Sequence, residues 1–198
     1  MKLWIDDIRE KPNGFDLHVR TAQEAIEIIK HHPCSAISFD HDLGSEDCGT
    51  GYHVAQWIEN QAFDHSIQRM GWTIHSANPV GRKNITMAME NAECYWDEMD
   101  EKFLKLFKKW REETGYLSNM VKAAKNANHL AMVAMGLPVV GTILRLIHQE
   151  PEHLFLTLRY ILQGGPVIPM DDRGNIERMS EIWYDWGVKE GYIHEKLS

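Results

Sequence analysis

Short apolar runs that end on a charged or polar residue recur along the first half of the chain. Lys2 to Ile5 stops at Asp6 and Asp7, and Lys11-Pro12-Asn13-Gly14 follows as a turn. Leu17 to Val19 reads as a second strand. Thr21 and Glu24 stand at capping-box spacing ahead of Ala25, Ile26, Ile28 and Ile29, which predicts a helix from Thr21 that stops before Pro33. Ala36 to Phe39 is a third strand that stops at Asp40. After a glycine-containing loop from Asp42 to Gly51, the apolar spacing of Val54, Ala55, Trp57 and Ile58 is helical. Trp72 to Ile74 is a fourth strand ending at His75. Asn78-Pro79 turns the chain into a helix over Gly81 to Glu93.

Strands that alternate with helices predict a parallel sheet with helices on its faces, because parallel neighbours need a long return connection. Asp6, Asp7, Asp40 and His75 then share the rim beyond the strand ends, where open parallel sheets bind ligands. From Tyr95 the period is purely helical. Trp96, Met99, Phe103, Leu106, Phe107 and Trp110 repeat every three or four residues, with Glu98–Lys102 and Glu101–Lys105 on the wet face. Later boundaries are a Ser118 cap, first-turn prolines at Pro138 and Pro151, a stop at Gly164-Gly165 and an Asn175 cap. The pattern predicts an α/β domain over 1–94 and an all-α domain over 95–198, joined by a helix over 95–113.

Composition narrows the function classes. With 43% hydrophobic and 25% charged residues the 198-residue chain is an ordinary folded protein. Its formal charge of -8, mostly accumulated in the first half, argues against an extended nucleic-acid groove and leaves acid available to hold a cation. Cys34, Cys48 and Cys94 form no CxxC pair, so neither a disulfide framework nor a thiolate zinc site is expected. MKLWIDDIRE lacks the apolar core of a signal peptide, and a cytoplasmic location is the expectation. The uncharged run from Leu130 to Leu144 holds Pro138 and two glycines and is too short for a spanning helix, so no membrane role is expected.

Two constellations carry candidate chemistry. Asp6, Asp7 and Asp40 would converge if their strands are neighbours, and Mg²⁺ or Mn²⁺ is the expected occupant, since clustered carboxylates are costly without a cation. The same aspartates also suit turn capping, and on the residues alone both readings stand. The second constellation runs from His75 to Asn84 and combines His75, Ser76, Asn78, Arg82, Lys83 and Asn84 ahead of a helix start, a set suited to phosphate. A loop of solvated charges around a satisfied histidine is the alternative there. His41 is left open between a transition-metal ligand and the other side of the chain, and His53 reads as structural. Gly44 to Gly51 lacks the lysine of a P-loop.

Leu3-Trp4-Ile5-Asp6-Asp7-Ile8-Arg9, Ser38-Phe39-Asp40-His41-Asp42-Leu43-Gly44 and Ile74-His75-Ser76-Ala77-Asn78-Pro79-Val80-Gly81 together resemble the cyclic-phosphate processing receiver domains over about the first 93 residues. The resemblance implies a flavodoxin-like receiver sheet, Asp6 and Asp7 as a metal-binding acid pair, and Asp40 at the receiver phosphoacceptor position. Ser76 matches the hydroxyl after strand four; no fifth strand with its lysine follows. Segments such as Trp183-Tyr184-Asp185-Trp186-Gly187 are similar to an uncharacterised helical family of bacterial and mobile-element proteins, which implies a fused partner-binding module and a phage or plasmid setting. The resulting expectation is a metal-dependent phosphoesterase acting on a cyclic phosphate of a nucleotide, an RNA end or a related small molecule. His75 would be general acid or base, Asp40 catalytic, and Ser76, Asn78, Arg82, Lys83 and Asn84 would bind phosphate. The alternative is a noncatalytic module that holds a phosphorylated ligand while the helical half docks to a protein.

Overall fold

A computed structural model describes residues 1–115 and 120–194; the Ser118 cap falls outside them. Four strands, β1 (Lys2–Ile5), β2 (Leu17–Val19), β3 (Ala36–Phe39) and β4 (Gly71–Ile74), form one parallel sheet in the order β2-β1-β3-β4. The register aligns Ile5 with Phe39 and Phe39 with Ile74. Backbone pairing continues one step further, with Asp40 N donating to Ile5 O at 2.9 Å and His75 N to Phe39 O at 3.0 Å. Asp6, Asp40 and His75 are therefore consecutive members of one rim, and this alignment follows directly from strand pairing.

Helix α1 (Ala22–His31) is capped by Thr21, whose side chain accepts from Glu24 N. Helix α2 (Gly51–Phe63) starts in a capping box in which Thr50 accepts from His53 N and the His53 ring accepts from Thr50 N, so His53 has the structural role its position suggested. Gly51 is required there, because a Cβ would lie 1.9 Å from Asp40 O. Buried residues of α1, α2 and the first half of α3 (Pro79–Thr114) form one cluster with Leu3, Ile5, Ile37 and Phe39. The expectation of helices on both faces thus needs correction. Right-handed crossovers from β2 to β3 and from β3 to β4 run in the same direction across the sheet and place α1 and α2 on the same side. The return from β1 to β2, which would use the other side, contains no helix. That other face carries Trp4 and Ser38, which alternate with the core residues along their strands, and Phe15 from the helix-free connection packs edge-on against Trp4 at 5.1 Å.

A second correction concerns residues 81–113. The chain makes no break between the helices expected there: α3 is continuous over 36 residues. Ile85, Met89, Ala92 and Trp96 belong to the sheet-side core, while Met99, Phe103, Phe107 and Trp110 belong to a second core. The helical period persists because one apolar stripe serves both clusters, so the change of core leaves no mark on the local backbone. The second core is built with α4 (Met120–Ala124), α5 (Ala127–Ala134), α6 (Val140–Gln149), α7 (Phe155–Leu162) and α8 (Ile176–Glu190). Asn175 caps α8 through Arg178 N, as its sequence position indicates. Pro151, by contrast, lies in the connection ahead of α7 and not in its first turn. No single helix among the described residues is long and apolar enough to cross a membrane; the 130–144 segment folds into two helical parts bent by 97°.

Side chains from the two ends of the molecule meet at the junction. Gln68 Nε2 donates to Cys34 O at 3.1 Å and to Gly191 O at 2.6 Å, and Arg69 pairs with Glu93, Asp97 and Asp100 along α3. In the second core, buried His129 meets Thr157 Oγ1 at 3.0 Å through Nε2. Burial pushes its imidazole below the ordinary value of 6.5, with the Ala124 carbonyl pulling part of the way back. The unfolded chain binds this proton more readily, so the contribution is complete above the ordinary value and is lost as pH falls through the window below about 6.5. Urea midpoints should therefore drop on acidification, and His129→Gln should flatten that dependence; an unchanged slope in the variant would contradict the assignment.

Candidate functional site

The rim gathers three of the residues singled out above. Ligand atoms of Asp6, Asp40 and His75 all lie within 4.8 Å of one another, with Asp6 fully buried and Asp40 7% exposed. Each carboxylate divides its two oxygens between local structure and the cluster. Asp6 Oδ1 accepts from the backbone N–H groups of Ile8 and Arg9, which forms the turn after β1, while Oδ2 faces His75 Nε2 at 3.0 Å. Asp40 Oδ1 accepts from His41 N at 2.7 Å and Oδ2 faces the guanidinium of Arg9 at 3.3 Å. The capping and cluster readings of these aspartates therefore coexist, one oxygen each.

The His75 ring is held on three sides. Its Nδ1 lies 2.7 Å from Ser38 Oγ, and its face stacks on Trp4 with centroids 3.7 Å apart and planes 8° from parallel. Trp4 and Ser38 stand two residues before Asp6 and Asp40, and strand alternation places i and i−2 on one face. That rule was the available signal for both residues, although they were not selected from the sequence. Arg9 was also passed over. Its Nη1 lies 3.4 Å from Asp6 Oδ2, 3.3 Å from Asp40 Oδ2 and 3.1 Å from His75 O, and Trp4 Nε1 donates to its carbonyl at 3.4 Å. The signal was a cation three residues after a turn-forming aspartate.

Other expected participants lie elsewhere or have local partners. Asp7 is outside the group of three; its Oδ2 borders Gly44, where an added Cβ would lie 3.2 Å away. Ser76 is buried, and its Oγ accepts from Asn78 N at 3.2 Å. Asn78 Oδ1 accepts from Val80 N and Gly81 N, and its Nδ2 donates to Asp42 at 3.2 Å. Arg82 N pairs with Asn78 O, and Pro79 has no N–H. The first-turn N–H groups of α3 therefore all have partners within the chain. Arg82 Nη1 donates to Ser76 O at 3.2 Å; exposed Lys83 and half-buried Asn84 follow on the helix. His41 packs its ring against Gly81, where a Cβ would lie 2.1 Å from Cγ.

Electrostatics define the protonation pattern. Burial pushes the Asp6 carboxyl up, but the N–H groups of Arg9 and Ile8 and the His75 ring outweigh it, so the acid lies below its ordinary range. Burial pushes the His75 imidazole down and prevails over the opposing pull of Asp6 and Asp40, while Arg9 adds to the downward push. An ionised Asp6 only accepts, so the neutral ring donates from Nε2 and Nδ1 accepts from the Ser38 hydroxyl. Followed by NMR, the His75 ring should titrate below 6.5, and Asp6→Asn should lower it further by removing a group that favours the imidazolium. A rise in the variant would contradict this balance.

With this geometry established, comparison with known proteins identifies the architecture. Residues 1–91 match the family model of the cyclic-phosphate processing receiver domain. No curated protein and no solved structure is significantly similar to the chain. The match covers the parallel sheet, the rim and the start of α3, and it ends before the second core begins. Over residues 1–91, a little under half of its length, the chain is thus similar to the cyclic-phosphate processing receiver domain.

Proposed function

We propose that the rim cluster hydrolyses a cyclic phosphate carried by a nucleotide, an RNA end or a related small molecule, with a divalent cation held by Asp6 and Asp40. The observation that carries this reading is the convergence of Asp6, Asp40 and His75 within 4.8 Å at the strand ends. The donor set fits a hard cation: two carboxylate oxygens face one point, and a guanidinium already neutralises them there. Asp7 is not counted among the direct ligands in this proposal. When bound, Mg²⁺ or Mn²⁺ would supply charge neutralisation for the phosphoryl oxygens and a water of lowered pKa.

The chain's own groups do the rest. As general acid His75 would act in its imidazolium form, giving the Nε2 proton to the leaving oxygen as the cyclic ester opens and becoming the neutral ring. Water forms the new bond to phosphorus while the ring P–O bond breaks, and the proton released by that water restores the imidazolium. Ser38 keeps Nδ1 hydrogen-bonded throughout, and the Trp4 face holds the ring plane, so the proton is delivered along one direction. Arg82, at the start of α3, reaches the carbonyl of Ser76, the residue after His75.

Full-length protein incubated with cyclic nucleotides and RNA ends carrying a terminal cyclic phosphate, with Mg²⁺ or Mn²⁺, should convert at least one to a linear monoester. His75→Ala should reduce this by about 10²-fold or more. Absence of turnover across the panel would remove the hydrolase reading. One observation favours noncatalytic binding: both ring nitrogens of His75 are already hydrogen-bonded. Under that alternative, a cyclic nucleotide would raise the melting temperature and be recovered unchanged.

A further inference from the structure

Phosphate recognition at the rim needs a cation, and the distribution of hydrogen bonds identifies which one is positioned for it. Asn78 and Ser76 are occupied by the α3 cap and its turn, and the first-turn amides of α3 all have partners or are absent. Arg82 is committed through Nη1 to Ser76 O. Arg20 reaches Asp7 O and Glu10 Oε1. Arg9 alone among these groups lies directly over the carboxylate pair, with Nη1 between Asp6 Oδ2 and Asp40 Oδ2. It does so from the helix-free β1–β2 connection, and its side chain is 48% exposed. Its side chain therefore reaches solvent, which the buried carboxylates do not, and its Nη1 also donates to His75 O at 3.1 Å.

We infer, on the basis of the proposed cation-dependent reading, that Arg9 is the phosphate-recognition residue of this rim and the resident occupant of its cation position. Without ligand it neutralises Asp6 and Asp40 through Nη1. A divalent cation and Arg9 compete for the same two oxygens, so loading requires the guanidinium to leave. Once released, its planar fork pairs with two phosphoryl oxygens, a geometry a lysine cannot reproduce. The exchange keeps the local charge balanced: one cation replaces another on the carboxylates, and the displaced one meets the incoming anion. Because the binding-competent state is populated only when Arg9 is out, the apparent cation affinity is reduced by the fraction of time Arg9 is in place.

The test titrates the full-length protein with Mn²⁺ alone, and then with inorganic phosphate in the presence of Mn²⁺, by calorimetry. Arg9→Gln should bind Mn²⁺ about tenfold more tightly than the unmodified protein, the expected result of removing a competitor, and should bind phosphate more weakly. Arg20→Gln removes an equal charge from the short link between β2 and α1, without touching Asp6 or Asp40, and should leave Mn²⁺ affinity within about twofold, since exposed charges interact weakly. Arg9→Lys should retain competition for Mn²⁺ but not the phosphate affinity. Circular dichroism of each variant confirms that it folds. Equal or weaker Mn²⁺ binding by Arg9→Gln, or an equal gain in Arg20→Gln, overturns the inference; if Asp40→Asn still abolishes Mn²⁺ binding, the cation reading of the rim survives that result. No Mn²⁺ binding by the unmodified protein or by Arg9→Gln overturns both.

Discussion

Two carboxylates aligned by strand register cannot share a buried rim without a compensating charge, and the structure around Asp6 and Asp40 follows from that constraint. Pairing of Ile5 with Phe39 and of Phe39 with Ile74 makes Asp6, Asp40 and His75 neighbours before any side chain is considered. Backbone amides absorb one oxygen of each acid. The remaining oxygens are left to a guanidinium and an imidazole, and that pair of partners determines what a ligand must displace.

The helix-free connection between β1 and β2 gives the site its character. A helix there would cover the second sheet face, where Trp4, Ser38 and His75 now form a stacked and hydrogen-bonded unit. In its place a short loop returns Arg9 over the strand ends and is pinned by the Trp4 indole. On the other side, α3 begins at the rim, where Asn78 caps it, and continues without interruption into the second hydrophobic core. The sheet edge and the helical half are thus joined by one continuous helix, with Arg69 paired along it.

The four strands and the residues that follow them were legible because short apolar runs ending in Asp or His leave a strong local signal, and the three rim motifs carry the family resemblance. The convergence of Asp6, Asp40 and His75 needed only parallel neighbours. Asp7 follows Asp6 in the sequence but stands outside the group of three, with its Oδ2 beside Gly44. Arg9, Trp4 and Ser38 were harder to find: their roles depend on which face of the sheet lies uncovered, and that depends on a connection having no helix. The unbroken α3 was hidden for the converse reason, since a single apolar stripe crosses from one core to the other without a change of period.

The most direct measurement is a crystal structure of the full chain grown with Mn²⁺, with anomalous scattering used to locate the ion. A peak at coordination distance from Asp6 Oδ2 and Asp40 Oδ2, with the Arg9 guanidinium moved off both oxygens, is the predicted result. A rim that keeps Arg9 on the two carboxylates and shows no anomalous density there, at a Mn²⁺ concentration that supports turnover or saturates binding, would contradict the account.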